Sequence, residues 1–116
     1  MDFIDLKAQQ SKIRKNLDAR IAQVLNHGKY IMGPEVFELE EELAKFVNVK
    51  HCITCSSGTD ALLIPLLAIK IGPGDGIITT PFTYIATAEV ISLVGATPIF
   101  CDVYPKTFNI NPSKIE

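Results

Sequence analysis

His51-Cys52-Ile53-Thr54-Cys55-Ser56-Ser57-Gly58-Thr59-Asp60-Ala61-Leu62-Leu63 reads as a short β-prone run, a Ser-Ser-Gly-Thr turn and the opening of a helix. Ser57 followed three residues later by Asp60 is the signature of a helix N-terminus, where side chains satisfy the first free N–H groups. Such an end carries partial positive charge and unpaired donors, so it holds anions. Gly58 lets a phosphate approach the backbone, and the hydroxyls of Ser56, Ser57 and Thr59 offer further donors. Taken alone, the same four residues also fit an ordinary strand-to-helix turn. The flanking segments decide between these readings.

At 116 residues the chain is one domain at most, and 47% hydrophobic with 21% charged residues is a globular balance. A net charge of −2 and a pI near 5.6 leave no electrostatic footprint for nucleic acid or an anionic membrane. No basic-then-apolar leader opens the chain and no apolar run is long enough to span a bilayer, so a cytoplasmic location is expected. Three cysteines make no disulfide framework. Cys52 and Cys55 form a C-x-x-C, but in a strand an odd separation sends them to opposite faces. With no second ligand pair, no metal site is expected, and these cysteines are expected as buried free thiols.

From residue 8 to 26, Ile13, Leu17, Ile21, Val24 and Leu25 recur at helical spacing, after an N-terminal arm over residues 1–6. Asn26-His27-Gly28 ends that helix, since glycine accepts the left-handed cap conformation. A turn over residues 29–33 precedes a second helix over 34–46, with Pro34 at its first position and Val36, Leu39, Leu43 and Phe46 on its apolar face. Glu35, Glu38, Glu40, Glu41 and Glu42 crowd that helix and are expected on a solvated face. A third helix runs from the Ser-Ser-Gly-Thr turn to about residue 70, although Pro65 lies inside it. The turn at 71–76 leads to a strand over 77–80, a helix over 84–94 and a strand over 96–102. Its glycines precede a strand instead of following one, unlike a dinucleotide fingerprint.

Counting residues 51–55 as the first strand, the order is α-α-β-α-β-α-β, an α/β fold in which helices cover a parallel sheet. Ligands of such sheets lie beyond the carboxyl ends of the strands. Ser56 to Thr59, Phe82 to Tyr84, and Asp102 follow the three strands in turn. Phosphate donors, an aromatic face and a carboxylate describe a site for a phosphorylated planar ring. Asn111 and Pro112 then open a further helix that has about one turn of sequence left, as expected of a cut chain.

Several segments together resemble the N-terminal part of the DegT/DnrJ/StrS sugar aminotransferases. They are Phe3-Ile4-Asp5-Leu6, Gly28-Lys29-Tyr30-Ile31-Met32-Gly33-Pro34-Glu35-Val36, Glu38-Leu39-Glu40, the run from Cys55 to Leu62, Gly72-Pro73-Gly74-Asp75, Pro81-Phe82-Thr83-Tyr84-Ile85-Ala86-Thr87-Ala88-Glu89 and Gly95-Ala96-Thr97-Pro98. The spacing holds over essentially the whole chain, and the likeness is greatest to members that aminate UDP-linked 3-keto hexuluronic acids for surface polysaccharides. The resemblance implies an incomplete fold-type-I large domain that binds pyridoxal 5′-phosphate (PLP). Residues 1–34 would form a subunit-contact arm and helix, and residues 35–116 the first part of the PLP-binding domain. Ser57, Gly58 and Thr59 would bind the cofactor phosphate, Tyr84 would stack on its ring, and Tyr30 would lie near the site of a partner in a homodimer. The substrates implied are a nucleotide-linked keto-sugar and an amino-acid donor, glutamate by expectation.

In the family, the lysine that carries the cofactor and the aspartate facing its ring nitrogen come later than residue 116. None of the lysines here stands in that motif and Asp102 is not that aspartate, so the chain is expected to hold no catalytic residue and to be inactive alone. Pro65, Asn48 where the family often has glycine, and Gly76 where it often has an acid depart from the family pattern. The competing readings are a non-catalytic remnant that docks on a homologue, a related PLP sugar dehydratase, and a Rossmann dehydrogenase piece. The last is disfavoured, because S-S-G-T replaces the glycine fingerprint and no acid closes the second strand.

Overall fold

The computed structural model describes residues 4–115 and divides into two compact units, one ending at Thr54 and the other starting at Cys55. Residues 1–3 of the arm expected at residues 1–6 lie outside the described residues. The division falls well after the boundary expected at residues 34 and 35, for a visible reason. Helix α1 (Leu6–His27) and helix α2 (Pro34–Phe46) are clasped together within the first unit. The Arg20 guanidinium grips the Glu38 carboxylate with both nitrogens, one at 2.7 Å, and His27 Nε2 lies 2.9 Å from Glu35 Oε1.

The Asp5 carboxylate accepts the Ala8 N–H at the start of α1, and Gly28 closes its end at φ 66°, donating to the Val24 carbonyl. Pro34 opens α2, where its missing N–H is no loss. The glutamates of α2 are not simply a solvated face. Glu35 and Glu38 join the two helices, and Glu40 accepts both the N–H and the hydroxyl of Thr54 at 2.8 Å. The apolar stripe of α1 finds no cover, since Ile13, Leu17, Ile21 and Leu25 are all exposed.

Residues 51–55 form no strand, which corrects the expected α-α-β-α-β-α-β order. A strand is defined by a neighbour, and no described segment pairs with this run; Glu40 takes the Thr54 N–H in place of a ladder partner. The three cysteines of the chain are free, and the two in this run are not buried as expected. Cys101 is buried, Cys52 is partly covered and Cys55 is exposed.

The second unit runs helix α3 (Gly58–Ala68), strand β1 (Gly76–Thr79), helix α4 (Ala86–Leu93), strand β2 (Thr97–Phe100) and a 3₁₀ turn, Pro112–Lys114. The strands β1 and β2 pair in parallel, with Gly76 opposite Thr97 and Thr79 opposite Phe100, and α4 forms the crossover between them. Val90 and Ile91 of α4, 3% and 2% exposed, form the core with Ala96; Leu63, Leu66, Ile71 and Ile77 pack around them. At Gly76 a side chain would meet Ile99 Cδ1 at 2.5 Å, so the tip of Ile99 would have to shift to admit one. Among the described residues no helix is long and apolar enough to cross a membrane.

Helices α2, α3 and α4 end in the same way. In each, one residue turns left-handed and the next amide reaches back five positions: Val49 to Ala44, Ile71 to Leu66, Ala96 to Ile91. The left-handed residues are Asn48 (φ 56°), Lys70 (φ 61°) and Gly95 (φ 83°). This explains why glycine suits position 48 and why asparagine is tolerated there. Pro65 lies in the last turn of α3 and has no N–H to offer the Ala61 carbonyl, while its own carbonyl accepts the Ile69 amide at 3.1 Å.

Two opposite substitutions test these closures. Lys70→Gly relieves a left-handed side chain and is expected to stabilise the chain by about 1 kcal/mol. Gly95→Ala, whose Cβ would meet Pro73 Cγ at 3.0 Å, is expected to destabilise it by about 1 kcal/mol or more. Urea unfolding midpoints read both, and shifts in the same direction would contradict the account.

Candidate functional site

The turn before α3 is built from its side chains upward. Ser57 is extended (φ −157°, ψ 166°), and its hydroxyl oxygen accepts the Asp60 N–H at 3.1 Å while its carbonyl accepts the Ala61 N–H. The Asp60 carboxylate returns the contact. One of its oxygens accepts the Ser57 hydroxyl at 3.0 Å and the Ser56 hydroxyl as well. These bonds, Ser56 first and Ser57 second, hold the Asp60 carboxyl below its ordinary range. The exposed Cys55 thiol donates to the Ser57 carbonyl at 3.4 Å.

This arrangement refines the expected donor set. The hydroxyls of Ser56 and Ser57 face inward to Asp60, so they are not the free donors of the turn. The free donors are backbone amides: among the described residues, none accepts from the N–H of Gly58 or Thr59. Gly58 and Thr59 are both exposed, and nothing lies within 4 Å of where a Gly58 Cβ would stand. Two unpaired N–H groups at the positive end of an 11-residue helix, with clear approach, fit a phosphate. On that observation the residues present fit the phosphate end of PLP.

Thr59 also lines an open groove of about 610 Å³ with Ile85, Ala88, Glu89, Ser92 and Leu93, so the start of α3 and the face of α4 share one concavity. Tyr84 stands just ahead of α4. Its carbonyl accepts the Thr87 N–H, and its side chain is 78% exposed. The segment leading to it is pinned where Phe82 stacks on Phe108, ring centroids 5.0 Å apart. Asp102 follows β2 as expected, but its carboxylate is engaged locally, accepting the Val103 N–H at 2.8 Å with Lys114 Nζ at 3.8 Å. Tyr30 belongs to the first unit, in the turn between α1 and α2, and is 67% exposed. His27, the last residue of α1, makes contacts beside that turn that the sequence analysis does not assign. No periodicity marks a histidine that contacts both a backbone amide and a carboxylate.

Comparison with known proteins places the chain in a family. The model of the DegT/DnrJ/EryC1/StrS aminotransferase family matches residues 11–116. The chain is 53% identical over its whole length to the UDP-2-acetamido-2-deoxy-3-oxo-D-glucuronate aminotransferase of Pseudomonas aeruginosa, of which it covers 32%. Its fold is that of a DegT DnrJ EryC1 StrS aminotransferase from Brucella abortus, with a TM-score of 0.89 and 50% identity over 96% of this chain and 30% of that one. It also matches NtdA from Bacillus subtilis, solved with bound cofactor PMP, with a TM-score of 0.84 and 35% identity over 90% of this chain and 24% of that one. The chain thus spans about a third of the length of the curated relatives it matches. An α/β unit with this motif order and this likeness has one assignment: the chain belongs to the DegT/DnrJ/EryC1/StrS aminotransferase family.

Proposed function

We propose that the chain is the N-terminal, phosphate-binding portion of a PLP-dependent aminotransferase that moves an amino group, from glutamate, to a nucleotide-linked keto-sugar for surface polysaccharide. The observation that carries this reading is the pair of unpaired amides at Gly58 and Thr59, open to solvent in a chain of this family. The sugar class follows the P. aeruginosa relative, whose substrate is a UDP-linked 3-oxo-glucuronate. A cytoplasmic homodimer completes the reading, with residues 1–34 as its contact segment and Tyr30 beside the partner's site.

Bound PLP supplies the electron sink through which an amino group passes from donor to keto-sugar. The residues of this chain bind and orient it. Gly58 and Thr59 donate to its phosphate from the backbone, the Thr59 hydroxyl adds a third donor, and the α3 dipole opposes the phosphate charge. Ser57 and Asp60 hold the turn so that those amides converge, and Tyr84 offers an exposed ring to lie against the cofactor's plane. These roles bind and position; none transfers a proton. The 116-residue chain is therefore expected to show no glutamate-dependent amination of a UDP-3-keto-sugar, and turnover above background would contradict that.

Pyridoxamine 5′-phosphate, which has no aldehyde to react with surface lysines, is the probe for the site. Titration into the chain is expected to shift the Gly58 and Thr59 amide resonances, while pyridoxamine without the phosphate leaves them unmoved. Equal shifts with both compounds, or none with either, overturn the reading.

The cap has its own acid signature. Because the folded Asp60 pKa lies below its unfolded value, its stabilisation is complete above about pH 4 and is lost as pH falls through the lowered value. Asp60→Asn is expected to be less stable than the unmodified chain at neutral pH, with the two stabilities converging in acid. Ser57→Ala is expected to cost about 1 kcal/mol. Chemical denaturation across pH measures both.

A further inference from the structure

His27 sits at the last turn of α1 with both ring nitrogens engaged. Nδ1 is 2.9 Å from the Lys29 backbone nitrogen, which carries a hydrogen, so Nδ1 must be the acceptor. The proton of the neutral ring is then on Nε2, 2.9 Å from Glu35 Oε1, where it donates to the carboxylate. Both side chains are largely covered, at 23% and 24% exposure. Among the described residues the Lys29 bond is the one hydrogen bond that reaches residues 29–32. That segment is otherwise exposed and includes Met32 in the left-handed region at φ 48°.

We propose that neutral His27, protonated on Nε2, positions the Tyr30 segment through the Lys29 amide, and that protonation of the ring releases that segment. Imidazolium has a hydrogen on each nitrogen, so Nδ1 would then face the Lys29 N–H donor to donor at 2.9 Å. The surrounding charges act the other way. Glu35 on α2 attracts the imidazolium, Arg20 on α1 lies near enough to act on Glu35 and is itself held by Glu38, and the carbonyl end of α1 favours a cation. The clasp between the helices therefore persists in acid while the turn loses its anchor. Functionally, the proposal rests on the reading of Tyr30 as a shared-site residue.

Three readouts on the full 116-residue chain test it, and none needs cofactor or substrate, so its failure is distinct from failure of the aminotransferase reading. In nitrogen-detected NMR at neutral pH, His27 is expected to show a bare Nδ1 and a protonated Nε2, with exposed His51 as reference. On lowering pH from about 8 until the His27 ring nitrogens report imidazolium, Lys29 amide exchange corrected for intrinsic rate is expected to speed roughly five- to tenfold relative to Gly28. In His27→Ala, Lys29 is expected to exchange fast at both ends of that range. A proton on Nδ1, or a Lys29 to Gly28 ratio constant with pH in the unmodified chain, overturns the proposal whether or not the variant folds.

Discussion

A helix cannot satisfy its own first amides, and this chain resolves that constraint unevenly at α3. The Asp60 N–H goes to Ser57, and the Asp60 carboxylate takes the hydroxyls of Ser56 and Ser57. What remains are the amides of Gly58 and Thr59, adjacent, unpaired and open. Had the serine hydroxyls turned outward, the turn would be a looser array of rotatable donors. With them turned in, the available donors are backbone groups fixed by the helix itself.

The helices were legible because their signals are local. Pro34 and Phe46 bound α2 in the sequence and in the structure, and Gly28 ends α1 as its cap residue predicts. The first strand was misread because β character depends on a partner. Residues 51–55 have the composition of a strand, yet no described segment offers them a ladder, and the same error made Cys55 look buried. At the site, Ser57, Gly58 and Thr59 could be named from the capping signature, but which donors stay free depends on where hydroxyls point. His27 was invisible for a related reason: two hydrogen bonds at 2.9 Å are a matter of ring placement, and ring placement leaves no periodic trace.

The exposed apolar surface follows from how little of the chain closes on itself. The core is Val90, Ile91 and Ala96 with a few half-buried neighbours, while the stripe on α1 and much of the apolar run from Ala61 to Ala68 in α3 stay open to water. Relatives that match every part of this sequence are about three times as long. In those terms the two-stranded parallel sheet is a small sample of a family fold, with the turn at the start of α3 at the edge of a groove.

The most direct measurement is a crystal structure of the chain with pyridoxamine 5′-phosphate. The account predicts phosphate oxygens within about 2.7–3.2 Å of the Gly58 and Thr59 backbone nitrogens, with the Ser56 and Ser57 hydroxyls still on Asp60. A phosphate bound elsewhere, or those two amides engaged by the protein itself, would contradict it.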